Sequence, residues 1–595
     1  MLGRAVLAAV LMAALAGAAG AHASPTAPLS KSGRWLVDAD GRAVITHGVN
    51  MVYKRPPYIP ASTGFGADDA RFLKRHGFSS VRLGTIYTAV EPSPGAYEDD
   101  YLAAVAETEA VLARERIFTM VDFHQDLFNE RYGGEGFPDW ATLDDGVPAD
   151  PRPGFPYTYV TSPGGNRAWD SLWANRAGPG GVGLQDRFAA AWGHVAARFR
   201  GRPWVMGYDI INEPWPGTQW TTCANLDGCR AFEEGPLNSL QSKAARAIRA
   251  ADTRSLIWYE PVVTSQFGTK YWAPTPNGDP RAAFSFHIYC LPGAAPASAT
   301  ECEALEQLSM DNAQARANAN GDPSLLSEFG ATTDLAVVER QVDRADRAMI
   351  SWQWWHYCAC EDPTTAGPGD TQAIVSDPAM PPEGANVFEG KLRTLVRAYP
   401  QATSGTPVAY GYDRATRTFT MRYSVRRPDG TGDFPAGSPT EIFVPRLHFP
   451  DGYAVEVTGA RVASAAGSSL LVVRSDAGAR EIAVTVRPGT GVFPRVRPAG
   501  LRVRVSPRRD RRRPHRFRVT GSLAAPEGVE DACRGTITVT IARIGTRRVP
   551  VGDDCRYAVT LTRSRAVRGR LRVAIRFAGN DLLLARTASA RVRAG

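Results

Sequence analysis

The sequence lacks the features that mark several classes of protein. After residue 23 no apolar run approaches the roughly 20 residues that a membrane-spanning helix requires. No set of cysteines and histidines has the spacing of a zinc site, and no glycine-rich phosphate loop follows a predicted strand. We therefore expect no metal, no cofactor and no nucleic-acid partner.

Lysine is also scarce, since only six of the 69 basic residues are lysine. The positive charge is concentrated at one end: residues 501–595 contain 23 arginines and seven acidic residues, a local net charge of +16 against +9 for the whole chain. The rest of the chain therefore carries −7. Either the basic region binds an anionic membrane surface, or it reflects a general compositional bias towards arginine.

The first 23 residues have the pattern of a secretory signal peptide. Arg4 precedes an apolar run over residues 5–19, and Ala21-His22-Ala23 forms a small-residue cleavage site. The run is short for a membrane anchor. We expect a secreted, extracellular protein whose mature chain begins near Ser24.

Export makes disulfides the expected state of the eight cysteines. Proximity in the sequence predicts the pairs Cys223–Cys229, Cys290–Cys302 and Cys533–Cys555. A bond between Cys358 and Cys360 would close a very small ring, so the state of that pair stays open.

Strand and helix patterns alternate from residue 34 to about 399, which is typical of a parallel sheet wrapped by helices. Eight short apolar strands in this length predict a (β/α)8 TIM barrel. The predicted strands are 43–49, 80–85, 117–123, 205–211, 255–259, 283–288, 324–327 and 349–353. The long insertion 129–183 is expected to form a lid or a wall of the binding cleft.

Beyond residue 400 short alternating stretches are separated by glycine, proline and aspartate turns, which predicts antiparallel β structure. We divide the chain into four parts: signal peptide 1–23, barrel 24–400, β-sandwich 401–498 and an arginine-rich, immunoglobulin-like β domain 499–595.

Polar residues follow most of the predicted barrel strands, at the end where TIM barrels carry their active sites. Two acidic residues on strands four and seven are hard to explain as core when His, Tyr, Asn and Trp lie on the same rim. The strand-end residues are Arg82, His124, Asp126, Asn212, Glu213, His287, Tyr289, Glu328 and Trp354.

Two carboxylates suit retaining glycoside hydrolysis, in which one attacks the anomeric carbon and the other protonates the leaving oxygen. Arg82 and Tyr289 could keep the attacking Glu328 ionised. Asn212, beside Glu213, could bind a sugar 2-hydroxyl, and Trp354 could stack on a sugar ring.

Asn-Glu-Pro after strand four and Glu after strand seven resemble clan A glycosidases, and glycoside hydrolase family 5 in particular. The resemblance covers roughly residues 34–400. It implies a retaining double displacement without a metal, with Glu213 as general acid/base and Glu328 as nucleophile.

The segments 47–54, 121–126 and 212–215 are similar to those of the endoglycoceramidases, which release an intact oligosaccharide from ceramide. This resemblance implies that Lys54 and Asp126 bind the non-reducing sugar and that Trp169 lines the glycone site. It implies a glycosphingolipid substrate, with peripheral membrane contact, and we expect a monomer.

Two alternatives remain open. One is an endo-β-glucanase-type polysaccharide hydrolase of the same family. The other is a non-catalytic carbohydrate- or lipid-binding surface protein, which would have no need of both glutamates. Glucosyl- and galactosyl-ceramide linkages, which differ at one hydroxyl, are not distinguished.

Overall fold

The computed structural model describes most of the chain, and the predicted signal peptide and Cys290 lie outside the described residues. No described helix combines the length and apolar character needed to cross a membrane. The described ranges are 25–289, 299–364, 372–464, 466–489, 497–525, 532–552, 554–580 and 582–595.

Three short strands precede the barrel: β1 Ser30–Ser32, β2 Trp35–Val37 and β3 Ala43–Val44. Eight parallel strands then close into a barrel in which the last strand pairs with the first, as the sequence predicts. All their residues are buried, as expected for strands covered on both faces. They are β4 His47–Met51, β5 Ser80–Ile86, β6 Phe118–His124, β7 Val205–Asp209, β8 Leu256–Tyr259, β9 Ala282–Ile288, β10 Ser324–Phe329 and β11 Ser351–Trp354.

Helices surround the barrel, and the longer ones bury a stripe of residues at helical spacing. In α6, for example, Phe188, Trp192, Val195 and Phe199 recur at intervals of three or four and are buried. The helices are α1 Ala67–Arg75, α2 Tyr87–Val90, α3 Asp99–Arg114, α4 Thr158–Thr161, α5 Pro163–Trp173, α6 Leu184–Phe199, α7 Trp220–Cys223, α8 Arg230–Phe232, α9 Asn238–Ala251, α10 Ala299–Asn320, α11 Leu335–Ala348 and α12 Glu389–Leu395.

The first predicted strand, 43–49, is wrong as a single element. Its first part is β3, which pairs with strands outside the barrel, whereas the barrel strand β4 begins at His47. The whole segment is apolar and buried, so periodicity does not reveal the break. The last strand was also predicted to begin two residues too early: β11 begins at Ser351, because Met349 ends α11 in a left-handed conformation.

A two-sheet sandwich follows the barrel and includes the beginning of the chain. Its larger sheet has the order β1-β2-β3-β12-β15-β18-β17 and its smaller sheet the order β13-β14-β19-β16. Residues 30–44, which the sequence assigned to the barrel part, therefore pair with the sandwich. The further strands are β12 Tyr399–Thr403, β13 Thr406–Asp413, β14 Thr418–Ser424, β15 Pro439–Phe443, β16 Tyr453–Thr458, β17 Ala460–Val462, β18 Leu470–Ser475 and β19 Glu481–Pro488.

The last domain packs two sheets around a core of its own. One sheet has the order β20-β22-β25, and the other has the order β21-β27-β26-β23-β24. Only the short β21–β27 pair in these two sheets is parallel. The strands are β20 Gly500–Ser506, β21 Arg509–Asp510, β22 His515–Ala524, β23 Thr536–Ile541, β24 Gly545–Pro550, β25 Arg556–Arg563, β26 Gly569–Phe577 and β27 Arg586–Ala594.

Three disulfides lie within the described residues. Cys223–Cys229 and Cys533–Cys555 are paired as predicted, and Cys358 is bonded to Cys360. The pairing that the sequence left open is thus present in the structure.

A buried ion pair ties the start of the chain to the sandwich. Arg42 Nη1 lies 3.0 Å from Glu441 Oε1, and both side chains are almost fully buried. We expect Arg42→Ala to lower the free energy of unfolding by about 3–5 kcal/mol, because it leaves a buried carboxylate without this partner. Arg422, in an exposed pair with Glu481, is the control, and Arg422→Ala should cost at most about 1 kcal/mol. Equal midpoints of thermal unfolding for the two variants would contradict this assignment.

Candidate active site

Arg82 lies fully buried at the centre of the barrel, among the carboxyl ends of the strands. Its Nε donates to Asp209 at 2.9 Å, and its Nη2 donates to Asp122 at 2.9 Å and to Glu260 at 3.0 Å. Its Nη1 donates to Glu328. One guanidinium thus holds carboxylates from four different parts of the barrel in fixed positions.

Glu328 lies on β10, where the pairing with β9 shifts register between Leu326 and Glu328. Such irregularities re-aim side chains near functional sites. Arg82 binds Oε1 and the Tyr289 hydroxyl donates to Oε2 at 2.9 Å. Both oxygens of this carboxylate therefore accept a hydrogen bond, which fixes its orientation.

Glu213 follows β7 with a φ of 42°, in the left-handed region that a non-glycine residue seldom occupies. Its backbone N–H donates to Glu260 Oε2 at 2.8 Å, which fixes this conformation. Its Oε1 lies 2.8 Å from His287 Nδ1. A strained backbone held by a buried carboxylate is typical of a residue whose orientation matters for function.

The two glutamates face each other closely. One oxygen of each, together with a ring nitrogen of His287, forms a cluster in which all three atoms lie within 4.8 Å of one another. Both side chains are about 5% exposed. This separation agrees with the roughly 5–5.5 Å of retaining glycosidases and is shorter than inverting enzymes need to admit a water.

The electrostatic environment differs between the members of this cluster. Burial raises the pKa of Glu213 and the negative charge of Glu328 adds to that effect, whereas His287 opposes it. Burial alone would lower the pKa of His287, but Glu260, Glu328 and Glu213 outweigh it and raise that pKa well above its ordinary value. Glu213 is therefore the carboxyl suited to carry a proton.

Asn212 and His124 border this pair. Asn212 Oδ1 accepts from Arg82 at 2.9 Å, and its Nδ2 donates to the Gln125 carbonyl at 2.9 Å. His124 Nδ1 lies 2.8 Å from Asp122. Burial would lower the pKa of His124, but Asp122 dominates and raises it to about 10.

Lys54 and Asp126, which the sequence predicts to bind sugar, are in direct contact. Lys54 Nζ donates to Asp126 and, at 2.8 Å, to Thr364 Oγ1. It also lies over the Trp355 ring, 4.4 Å from its centre. Burial disfavours the charged form of both residues, but the attraction of nearby opposite charge outweighs burial. The pKa of Lys54 is therefore raised and that of Asp126 is lowered. The pair offers a donor and an acceptor side by side.

The predicted stacking residue Trp354 is placed differently from expectation. Its side chain is fully buried, and its Nε1 donates to the Gln372 carbonyl at 2.9 Å. Trp355, the next residue, contacts Lys54 and stacks on His124 with ring centres 5.2 Å apart. Alternate residues of a strand face opposite sides, so an error of one position selects the wrong ring.

Trp169 lies on α5 and is 1% exposed. Its ring packs against Phe128, Phe137 and Trp173, with centres 4.9, 6.0 and 5.4 Å away. These contacts make it a core residue of the long insertion.

The chain is similar to known proteins over most of its length. The family model "Cellulase (glycosyl hydrolase family 5)" matches residues 37–361, and "Glycoside hydrolase family 5 C-terminal domain" matches residues 397–487. The chain belongs to glycoside hydrolase family 5.

Endoglycoceramidase I of Rhodococcus hoagii is 34% identical to this glycosidase over 481 residues, which are 79% of this chain and 90% of that protein. Among solved structures, endo-glycoceramidase II from a Rhodococcus species in complex with a cellobiose-like imidazole has a TM-score of 0.63 and 28% identity, covering 76% of this chain and 99% of that one. Its lactosyl-enzyme intermediate and its ganglioside GM3 complex, at 28% and 26% identity, each give a TM-score of 0.61 over the same shares. Both family models end before the arginine-rich domain.

Several residues of the site in this glycosidase were not predicted from the sequence. Glu260 directly follows β8, the fifth strand of the barrel. No polar residue was predicted at the end of that strand. Asp122 lies within the buried strand β6, and Asp209 is the last residue of the buried strand β7. A carboxylate in a strand buried on both faces requires a buried partner, and that signal pointed to Arg82.

Two groups of described residues have the spacing of metal ligands: Glu213, His287 and Glu328, and His124, Asp126 and Glu135. Each group already contains a carboxylate bound to a buried cation, Arg82 in the first and Lys54 in the second. These cations already neutralise the carboxylates that a metal ion would need as ligands. Both groups therefore suit an organic substrate better than a metal ion.

We expect Glu328→Gln to lower the pKa of Glu213. The wild-type Glu213 keeps its proton to a higher pH partly because of the negative charge of Glu328, and the amide removes that charge. NMR titration of carboxyl-labelled glutamate measures the shift. The exposed Glu107 is the control, and Glu107→Gln should leave the titration unchanged. A Glu213 pKa that rises in Glu328→Gln would contradict this coupling.

Proposed function

We propose that this glycosidase is an exported endoglycoceramidase, which hydrolyses the bond between the oligosaccharide and the ceramide of glycosphingolipids with retention of configuration. The separation of Glu213 and Glu328 carries the retaining chemistry. The similarity to Endoglycoceramidase I over 90% of its length supports the substrate.

In the first step a Glu328 oxygen attacks the anomeric carbon, and Glu213 transfers its proton to the ceramide oxygen as that bond breaks. Ceramide leaves as the alcohol, and the sugar is held as an ester of Glu328. In the second step Glu213 takes a proton from water, which attacks the same carbon and releases Glu328. A lactosyl-enzyme intermediate of the Rhodococcus enzyme supports this course.

The neighbouring residues support both steps. Arg82 and Tyr289 stabilise the carboxylate that Glu328 becomes when it leaves in the second step. His287 orients the Glu213 carboxyl through its Nδ1. Asn212, fixed by Arg82 and Gln125, is placed to bind the sugar 2-hydroxyl.

We assign the second sugar of the substrate to Lys54 and Asp126, with Trp355 as the aromatic surface in place of Trp354. The Lys54–Asp126 pair is buried beside Trp355, and the His124 ring also stacks on Trp355. A charged donor and acceptor next to an indole suit a pyranose, which presents hydroxyls at its edge and C–H groups on its face.

The disulfides support export. Cys223–Cys229 and Cys533–Cys555 are paired, and such bonds persist in oxidising compartments.

The substrate proposal is tested by incubating the protein with lactosylceramide and, separately, with a soluble β-glucan, and separating the products by thin-layer chromatography. We expect ceramide and intact lactose from the lipid, with little cleavage of the glucan. Cleavage of the glucan alone would favour the polysaccharide hydrolase that the name of the family model suggests. No turnover of either substrate would favour a binding protein.

The two glutamates should respond differently to the leaving group. Glu213→Ala should slow release of ceramide by about 10²–10⁴-fold, the usual contribution of a general acid. The same variant should be slowed far less on a dinitrophenyl glycoside, because the dinitrophenolate that leaves needs no proton. Glu328→Ala should abolish both reactions. Glu107→Ala is the exposed control, and equal losses on both substrates for Glu213→Ala would contradict its role.

Lys54→Met should distinguish substrates by their second sugar. We expect kcat/KM for lactosylceramide to fall by about 10–100-fold, the effect of one charged hydrogen bond. The value for glucosylceramide, which lacks that sugar, should change little. Lys270→Met, at an exposed lysine, is the control. Equal losses on both lipids would contradict the assignment of Lys54 to the second sugar.

A further inference from the structure

The outer face of the five-stranded sheet in the last domain is covered with arginines. In β26 the residues Leu571, Val573, Ile575 and Phe577 point into the core and are at most 1% exposed, whereas the arginines between them are exposed. The neighbouring strands continue the pattern. We call the following six exposed residues the arginine face: Arg548, Arg570, Arg572, Arg576, Arg591 and Arg593.

Four of these arginines stand directly opposite one another on β26 and β27. The register pairs Arg570 with Arg593 and Arg572 with Arg591. Like charges in directly opposite positions of a sheet destabilise it. Arg593 is also paired with Arg509, whose pKa is lowered by repulsion from Arg511 and, to a smaller extent, from Arg593.

No carboxylate in the described part of this domain offsets that repulsion. The acidic side chains described there are Asp510 and Asp554. Asp510 accepts from the backbone N–H groups of Arg512 and Arg516, and Asp554 lies 3.9 Å from Arg556. Neither is paired with the arginine face.

Several exposed arginines of the preceding sandwich are paired with acidic residues. On its smaller sheet Arg422 lies 3.3 Å from Glu481, and Arg487 lies 3.0 Å from Glu456. A general preference for arginine over lysine is therefore compatible with local neutralisation. Composition accounts for the choice of arginine, but it does not account for six arginines on one face that have no acidic partner among the described residues.

We propose that the arginine face binds the anionic surface of a lipid bilayer. The face extends over four adjacent strands, about 15 Å at the usual strand spacing, so its guanidinium groups lie in one layer. Such a layer matches a plane of phosphate and carboxylate groups, with which arginine forms paired hydrogen bonds. The choice of a bilayer rests on the proposed function, since a ceramide-linked substrate is held in a membrane.

The three-stranded sheet provides a charge-matched comparison. Its outer face carries Arg502, Arg504, Arg518 and Arg556, which line an open depression of about 810 Å³. Serine and threonine stand opposite the first two of these, so the charges are spread over a concave surface. Both sheets enclose one core, so this face points the opposite way, and a planar bilayer cannot touch both faces together.

The test is sedimentation of the full-length protein with vesicles that contain no glycolipid. One set is phosphatidylcholine alone, and the other includes about 30% phosphatidylserine. We expect binding to the anionic set only, with loss of binding at about 0.5 M salt. Replacing Arg570, Arg572, Arg591 and Arg593 together by serine should weaken binding by more than about tenfold, and replacing the four arginines of the opposite face should weaken it less than about threefold.

Two further measurements separate the possible failures. The first variant should unfold at the same temperature as the wild type or higher, since it relieves repulsion, and it should hydrolyse detergent-dispersed lactosylceramide at the wild-type rate. If the wild type does not distinguish the vesicles, or if both quadruple variants lose equal affinity, the proposal is overturned while the catalytic proposal stands. Preferential binding of heparin over vesicles through the same four arginines would overturn the choice of a bilayer.

Discussion

The Arg82 guanidinium is the contact on which the catalytic end of the barrel depends. It is fully buried and bound to Asp122, Asp209, Glu260 and Glu328. Without it those carboxylates would face one another in a region of low dielectric, at a cost of several kcal/mol for each unpaired charge. Glu260 in turn fixes the backbone of Glu213. The distance between Glu213 and Glu328 is therefore set through a single cation and its partners.

The sequence was sufficient for the residues at the strand ends. A barrel strand is recognised by its apolar character, and polar residues at or just beyond its carboxyl end face the site, so Glu213, His287 and Glu328 could be found without a structure. The same rule would have found Glu260. It failed at Trp354, because consecutive residues face opposite ways and the register of the last strand was not known to one residue.

Other features depend on pairing between distant parts of the chain, which no local pattern records. The break between β3 and β4 is invisible in an apolar run, and only the pairing of β3 with β12 shows that the start of the chain belongs to the sandwich. The positive charge was located correctly by counting. Its opposed pairs, such as Arg572 and Arg591, required the register of the sheet.

The stereochemistry of the reaction tests the account most directly. Glu213 and Glu328 are too close to admit a water between one of them and the sugar, so in the proposed mechanism water attacks only after Glu328 has displaced ceramide from the anomeric carbon. Proton NMR of the sugar in the first minutes of hydrolysis, before the anomers equilibrate, reads out the configuration. The account predicts the β-anomer as the first product. The α-anomer as first product would contradict it.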